Sequence, residues 1–123
     1  MLLVPTRVAP SAIQGLGLFA TDAIAEGVEV WRFAPGFDLL IPFDDVPALP
    51  AAYRAYLDTY AYPSEAFPGR LVVSCDHAKF MNHAPDPNVV GRGLSSFASR
   101  PIAAGEELTC DYRAVCSGWS GFD

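Results

Sequence analysis

Two runs of residues hold most of the chemical potential of this 123-residue chain: Lys79-Phe80-Met81-Asn82-His83-Ala84-Pro85-Asp86-Pro87-Asn88 and Gly105-Glu106-Glu107-Leu108-Thr109-Cys110-Asp111-Tyr112. Taken singly, their members have ordinary explanations. Asn82-His83 can close a turn through side-chain to backbone hydrogen bonds, and Tyr112 can sit on an amphipathic strand with its hydroxyl in water. Upstream, Gly15-Leu16-Gly17 is a glycine pair that lets backbone approach a ligand. As a dinucleotide fingerprint it fails, because no third glycine follows at the required spacing and Gly27 arrives before a useful helix could form. Cys75, Cys110, Cys116, His77, His83 and Asp76 match no zinc spacing, so no metal is expected. A Cys–His nucleophilic pair is formally available, but nothing local marks either thiol as activated.

The elements that must position these residues are short. Ten glycines and eleven prolines leave only 51–62, 70–84 and 106–117 as stretches of twelve or more residues free of both. That excludes a four-helix bundle and a transmembrane span. Residues 51–62 place Tyr53, Tyr56, Leu57 and Tyr60 at helical spacing behind Pro50, which predicts the one inserted helix. Leu71 to Cys75 read as a buried strand, and 85–93 as a turn-rich segment. An internal echo joins the two ends: Phe19 to Val30 aligns with Phe97 to Leu108, 78 residues later, with six of twelve positions identical. Each copy reads as a hairpin unit, strand, glycine-closed turn and second strand, so one mainly β core built from both is expected.

Charge narrows the partners. Fourteen acidic against eight basic residues give a net charge of −6. Lys79 is the sole lysine, and no basic cluster exists to neutralise phosphates, so nucleic acid is excluded as a partner. A basic protein segment suits the negative field. At 51% hydrophobic residues the chain is too apolar for disorder, and its low charged fraction leaves room for an apolar face in a homodimer. The odd cysteine count and a start without a basic leader predict reduced thiols in a cytoplasmic protein without a membrane segment.

In this order, with GLG upstream, the motifs resemble the SET domain of protein lysine methyltransferases, whose pattern runs GxG, then RFxNHxxxPN, then GEELTxDY. Trp31-Arg32-Phe33 and Tyr60-Ala61-Tyr62 look like the small bacterial branch. The resemblance implies one SET domain over residues 1–123, a β-clip of short strands with one helix and a C-terminal pseudoknot. Residues 71–112 would carry the cofactor and catalytic motifs, and 113–123 a short tail without the zinc-bound cap. It implies S-adenosylmethionine as cofactor, held by Gln14, Gly15, Leu16 and Gly17 through backbone and by Asn82 at the amino-acid end. His83 would give backbone contacts to the adenine, with Lys79 (where the family usually has Arg) and Phe80 flanking. Tyr112 corresponds to the catalytic tyrosine and also touches the cofactor. Phe33, Cys110, Gly91 and Trp119 would form the substrate channel, Trp119 as part of an aromatic lid. The implied activity is methyl transfer to lysine of a protein substrate. The alternative is a SET-like module that binds cofactor or a partner without efficient catalysis, because Phe33 lacks the hydroxyl many members place there.

Overall fold

The computed structural model describes residues 1–111. Tyr112, Cys116 and Trp119 lie outside them. Ten short strands alternate with turns: β1 (Thr6–Pro10), β2 (Leu16–Ala20), β3 (Glu29–Arg32), β4 (Leu39–Pro42), β5 (Tyr62–Pro63), β6 (Arg70–Val73), β7 (Asn82–His83), β8 (Val89–Arg92), β9 (Ser95–Ala98) and β10 (Glu107–Cys110). One α-helix, α1 (Ala51–Tyr60), and 3-10 turns at Phe43–Ala48 and His77–Phe80 complete the set. The strands form three small sheets, ordered β1-β2-β10-β7, β3-β9-β8 and β4-β6-β5. Among the described residues this is the mainly β, one-helix architecture that the echoed strand units and the spacing of Tyr53, Tyr56, Leu57 and Tyr60 predict.

The sequence echo is structural, but not as two separate hairpins. Neither copy pairs its own two strands. Instead β2 of the first copy pairs with β10 of the second, Phe19 opposite Glu107, and β9 of the second pairs with β3 of the first, Phe97 opposite Glu29. The turn bonds repeat with the same offset. Gly27 N donates to Ala98 O at 2.8 Å and Gly105 N to Ala20 O at 2.7 Å; Ala98 N donates to Val28 O and Ala20 N to Glu106 O. Ile24 and Ile102 exchange both backbone bonds at 2.8 Å, as residues facing across a local two-fold would. Gly27 and Gly105 have φ of 84° and 86°, conformations that a side chain disfavours, which is why the echo keeps both glycines. The exchange buries Leu18, Ala20, Ile24, Ala98, Ile102 and Leu108 in one core, because each copy covers the apolar face of the other.

A second, smaller core lies under α1, where Leu57 packs with Val46, Leu71 and Val73. The helix stops at Tyr60, two residues before the predicted end, since Ala61 is already extended and opens the path into β5. The predicted strand at 71–75 starts one residue earlier and ends at Val73, where Asp38 Oδ1 takes the Cys75 amide at 3.2 Å. Of the segment expected to be turns, Pro85, Asp86 and Asn88 do bend the chain, whereas Val89 to Arg92 form β8 opposite β9. Two Val residues outweigh the local glycines there because Val89 reaches the main core.

Candidate functional site

The chain crossing that matters is the parallel pairing of β7 with β10, Asn82 opposite Thr109 and His83 opposite Cys110. It joins the two motifs into one structure. Asn88, fully buried, staples the same strand. Its Nδ2 donates to Glu107 O at 2.8 Å and its Oδ1 accepts the Thr109 amide at 2.9 Å. The Pro-Asn of the second motif is thus a brace for β10.

Two clefts flank this crossing. The first, about 250 Å³, lies between the β1–β2 turn (Gln14, Gly15, Leu16), the end of α1 (Thr59, Tyr60) and Lys79, Phe80 and Asn82. The second, about 260 Å³, opens over the β3-β9-β8 sheet; its walls include Trp31, Tyr60, Tyr62, Met81, Gly91 and Cys110, with Asp58, Thr59 and Lys79 at the same site. Thr59, Tyr60 and Lys79 line both, so the clefts share a wall.

That wall is built by α1. Tyr56 and Tyr60 rings pack at 4.8 Å, and Tyr60 meets Phe80 edge-on at 5.8 Å. The Lys79 ammonium lies 5.5–5.6 Å from the centroids of Tyr56, Tyr60 and Phe80, and donates to the Tyr56 hydroxyl at 3.2 Å. Ring faces favour a cation there. The 3-10 turn bearing Lys79 is capped by Asp76, whose carboxylate accepts the Ala78 amide. Of the residues whose spacing predicts the helix, Leu57 alone is fully buried, while Tyr56 and Tyr60 turn to the wall.

At the floor of the first cleft, Asn82 is 5% exposed. Its Nδ2 lies 3.2 Å from Gln14 O, 3.1 Å from Leu16 O and 3.0 Å from Glu107 Oε2. Gly15 turns the backbone at φ 47°. Gly17 has a different reason to be glycine. A Cβ there would strike the Glu107 carboxylate and stand 3.0 Å from the Ser11 Cβ.

The expected site residues separate accordingly. Gln14, Gly15, Leu16, Lys79, Phe80 and Asn82 converge on the first cleft, and Gly91 and Cys110 on the second. Gly17 makes room for Glu107 and does not line the cleft. His83 lines neither cleft; its Nδ1 lies 3.6 Å from Asp111 Oδ1. Phe33 lines neither cleft. It is buried just past the end of β3 and packs on Phe67 at 4.6 Å between centroids. Two residues earlier, Trp31 stands opposite Ser96, and both line the second cleft. The Trp31 indole N–H is buried without a partner among the described residues. Sequence reasoning missed Trp31, Tyr60, Glu107 and Ser11; the Glu106-Glu107 pair was visible in the motif, but nothing local said which carboxylate faces inward.

A SET-domain family model matches residues 15–113. The chain belongs to the SET-domain family. Solved structures with the same fold include ctPRC2 in an autoinhibited apo state, with a TM-score of 0.74, 23% identity, and coverage of 94% of this chain and 16% of that one. A humanised mutant of the Chaetomium thermophilum Polycomb Repressive Complex 2 bound to an inhibitor gives 0.69 and 22%, with the same coverage. The SET-domain chain therefore spans about a sixth of the length of the chains it matches. No curated protein matches it.

The first cleft fits the group this family uses. S-adenosylmethionine has a zwitterionic amino-acid end and a flat adenine. The cleft offers a buried amide, a cation without a carboxylate partner among the described residues, exposed turn backbone, and the rings of Tyr60 and Phe80. Among the described residues no three His, Cys, Asp or Glu side chains could hold a metal, and no helix is long and apolar enough to cross a membrane.

Proposed function

We propose that this SET domain transfers methyl groups to a lysine side chain of a protein, with the glycine-turn cleft holding the donor and the sheet cleft the acceptor. One observation carries the reading: two clefts, one floored by the Asn82 amide and the other more apolar, meet at the common wall of Thr59, Tyr60 and Lys79. S-adenosylmethionine would supply a methyl group on a sulfonium, already activated for displacement. The chain's own residues then have to align and to desolvate. Backbone of Gln14 to Leu16, with Asn82 and Lys79, fixes the donor end, and alignment of this kind supplies much of the acceleration in a displacement. Trp31, Tyr60 and Tyr62 would surround an incoming lysine. An ammonium has no lone pair with which to attack, and an apolar aromatic channel disfavours the charged form by removing water. Lys79, a fixed cation on the shared wall, disfavours a second positive charge in the same direction. Asp58 at the second cleft and the net charge of −6 suit a basic segment as substrate.

The resemblance gives the catalytic hydroxyl to Tyr112, one residue past the described chain. Tyr112→Phe should bind S-adenosylmethionine as the unmodified protein does and lose most methyl transfer, since a donor aimed at developing charge is worth about 10²–10³ in rate. Calorimetry for binding and radiolabelled transfer to a lysine-rich protein mixture measure the two separately. Equal transfer rates in the two proteins would remove Tyr112 from the chemistry, and binding without transfer in the unmodified protein would favour a cofactor-binding module.

A further inference from the structure

We propose that Glu107 is a positioning residue: it fixes which end of the Asn82 amide faces the first cleft, and so what that cleft recognises. The inference rests on that cleft being the donor site. An asparagine amide can point either its NH2 or its oxygen at a ligand, and the neighbours decide. Here Nδ2 sits among three atoms that can only accept, Gln14 O, Leu16 O and Glu107 Oε2, at 3.0–3.2 Å. The carbonyl oxygen in that position would face three sets of lone pairs. The amide is therefore held with its oxygen left for a donor from the ligand, which selects an ammonium group over a carboxylate at that point.

Of the three acceptors, Glu107 is the one with a charge, and charge-assisted bonds are about twice as strong as neutral ones. It is also the best anchored. Gln14 lies in the turn that carries Gly15 and Leu16 is the first residue of β2, whereas Glu107 opens β10, at the interior of the four-stranded sheet. Its carboxylate is gripped from the other side by Ser11 Oγ, which donates at 2.8 and 2.9 Å to the two oxygens. The absent side chain of Gly17 leaves the space that it occupies. Ser11, Gly17, Glu107 and Asn82 thus form one relay from β1 to the cleft floor. None of the first three lines the cleft itself.

Calorimetric titration with S-adenosylmethionine and with its desamino analogue, in which hydrogen replaces the α-ammonium, tests the relay. Glu107→Gln keeps the shape but removes the charged acceptor, leaving only the Gln14 and Leu16 carbonyls to hold the Asn82 NH2, so the amide is fixed less firmly. It should weaken S-adenosylmethionine by about tenfold and leave the desamino analogue's affinity unchanged. Ser11→Ala, which loosens the carboxylate without altering it, should act in the same direction by less, and carries the test if Glu107→Gln does not fold. Unchanged affinity for S-adenosylmethionine, or equal weakening of both ligands, would overturn the proposal, since a merely structural role cannot distinguish them. In the ligand-free protein, the Asn82 side-chain NH2 resonances should be protected from solvent exchange and lose that protection in Glu107→Gln; unprotected resonances in the unmodified protein also overturn it. If the unmodified protein binds neither ligand, the donor-site reading fails, and the resonance measurement still decides how Asn82 is held.

Discussion

Cys110 and Gly91 reach the second cleft from β10 and β8, and both are small. A Cβ built on Gly91 would meet no atom within 4 Å. The Cys110 thiol is turned back toward Asn82 O at 3.9 Å, a weak contact that leaves the volume above it open. A tyrosine at such a position brings a hydroxyl that can hold a water in the room a further methyl group needs. The expected product is therefore a lysine bearing more than one methyl group, and Cys110→Tyr should shift it toward monomethyl-lysine. Mass spectrometry of an exhaustively treated substrate reads this directly; a product that stops at one methyl with the unmodified protein contradicts it. The Phe33 ring is packed in the core against Phe67. Its type was legible in the sequence, but its position one step past the end of β3 was not.

At the scale of elements, the site depends on how β10 is held. Glu106 accepts from the Ala103 amide at 3.0 Å and from Asn88 Nδ2 at 3.1 Å, closing the turn at Gly105 onto the brace that Asn88 provides. The Ala103 amide, more than the burial that opposes it, holds the Glu106 carboxyl below the ordinary glutamate value, with Asn88 and Arg100 acting the same way. A depressed pKa in the folded state stabilises it fully above the unfolded value, about 4.3, and that contribution is lost as pH falls through the folded value. Thermal unfolding followed from neutral pH downward should show Glu106→Gln losing part of the unmodified protein's dependence on pH below that point; identical slopes would contradict the brace. The elements themselves were readable to different depths. The helix was legible because Tyr53, Tyr56, Leu57 and Tyr60 keep a helical period. The echo was legible because Gly27 and Gly105 must be glycine to take their positive φ. That the two copies exchange strands was not, since the pattern within one strand does not say which partner it pairs with. β8 was hidden because the turn signal centred on Asp86-Pro87-Asn88 was carried on to Gly93, although Val89 to Arg92 form a strand.

In the molecule as a whole, the local two-fold builds the core, and the parallel β7–β10 pairing then lays the two motifs against each other at its edge. The inserted helix supplies the wall that makes two clefts out of one surface. The motif residues that touch the clefts were legible from type and order. Those that hold them in place, Ser11, Asn88 and Glu107, were not, because their partners lie 96, 19 and 25 residues away in the chain. What the architecture claims is a division of labour between adjoining clefts. A crystal structure with S-adenosylhomocysteine and a lysine peptide tests that claim most directly. The account predicts the homocysteine end beside Asn82 and Lys79, its sulfur toward the shared wall, and the lysine nitrogen entering past Trp31 toward Cys110 and Gly91. A nucleoside seated over the β3-β9-β8 sheet, or both ligands in one cleft, would contradict it.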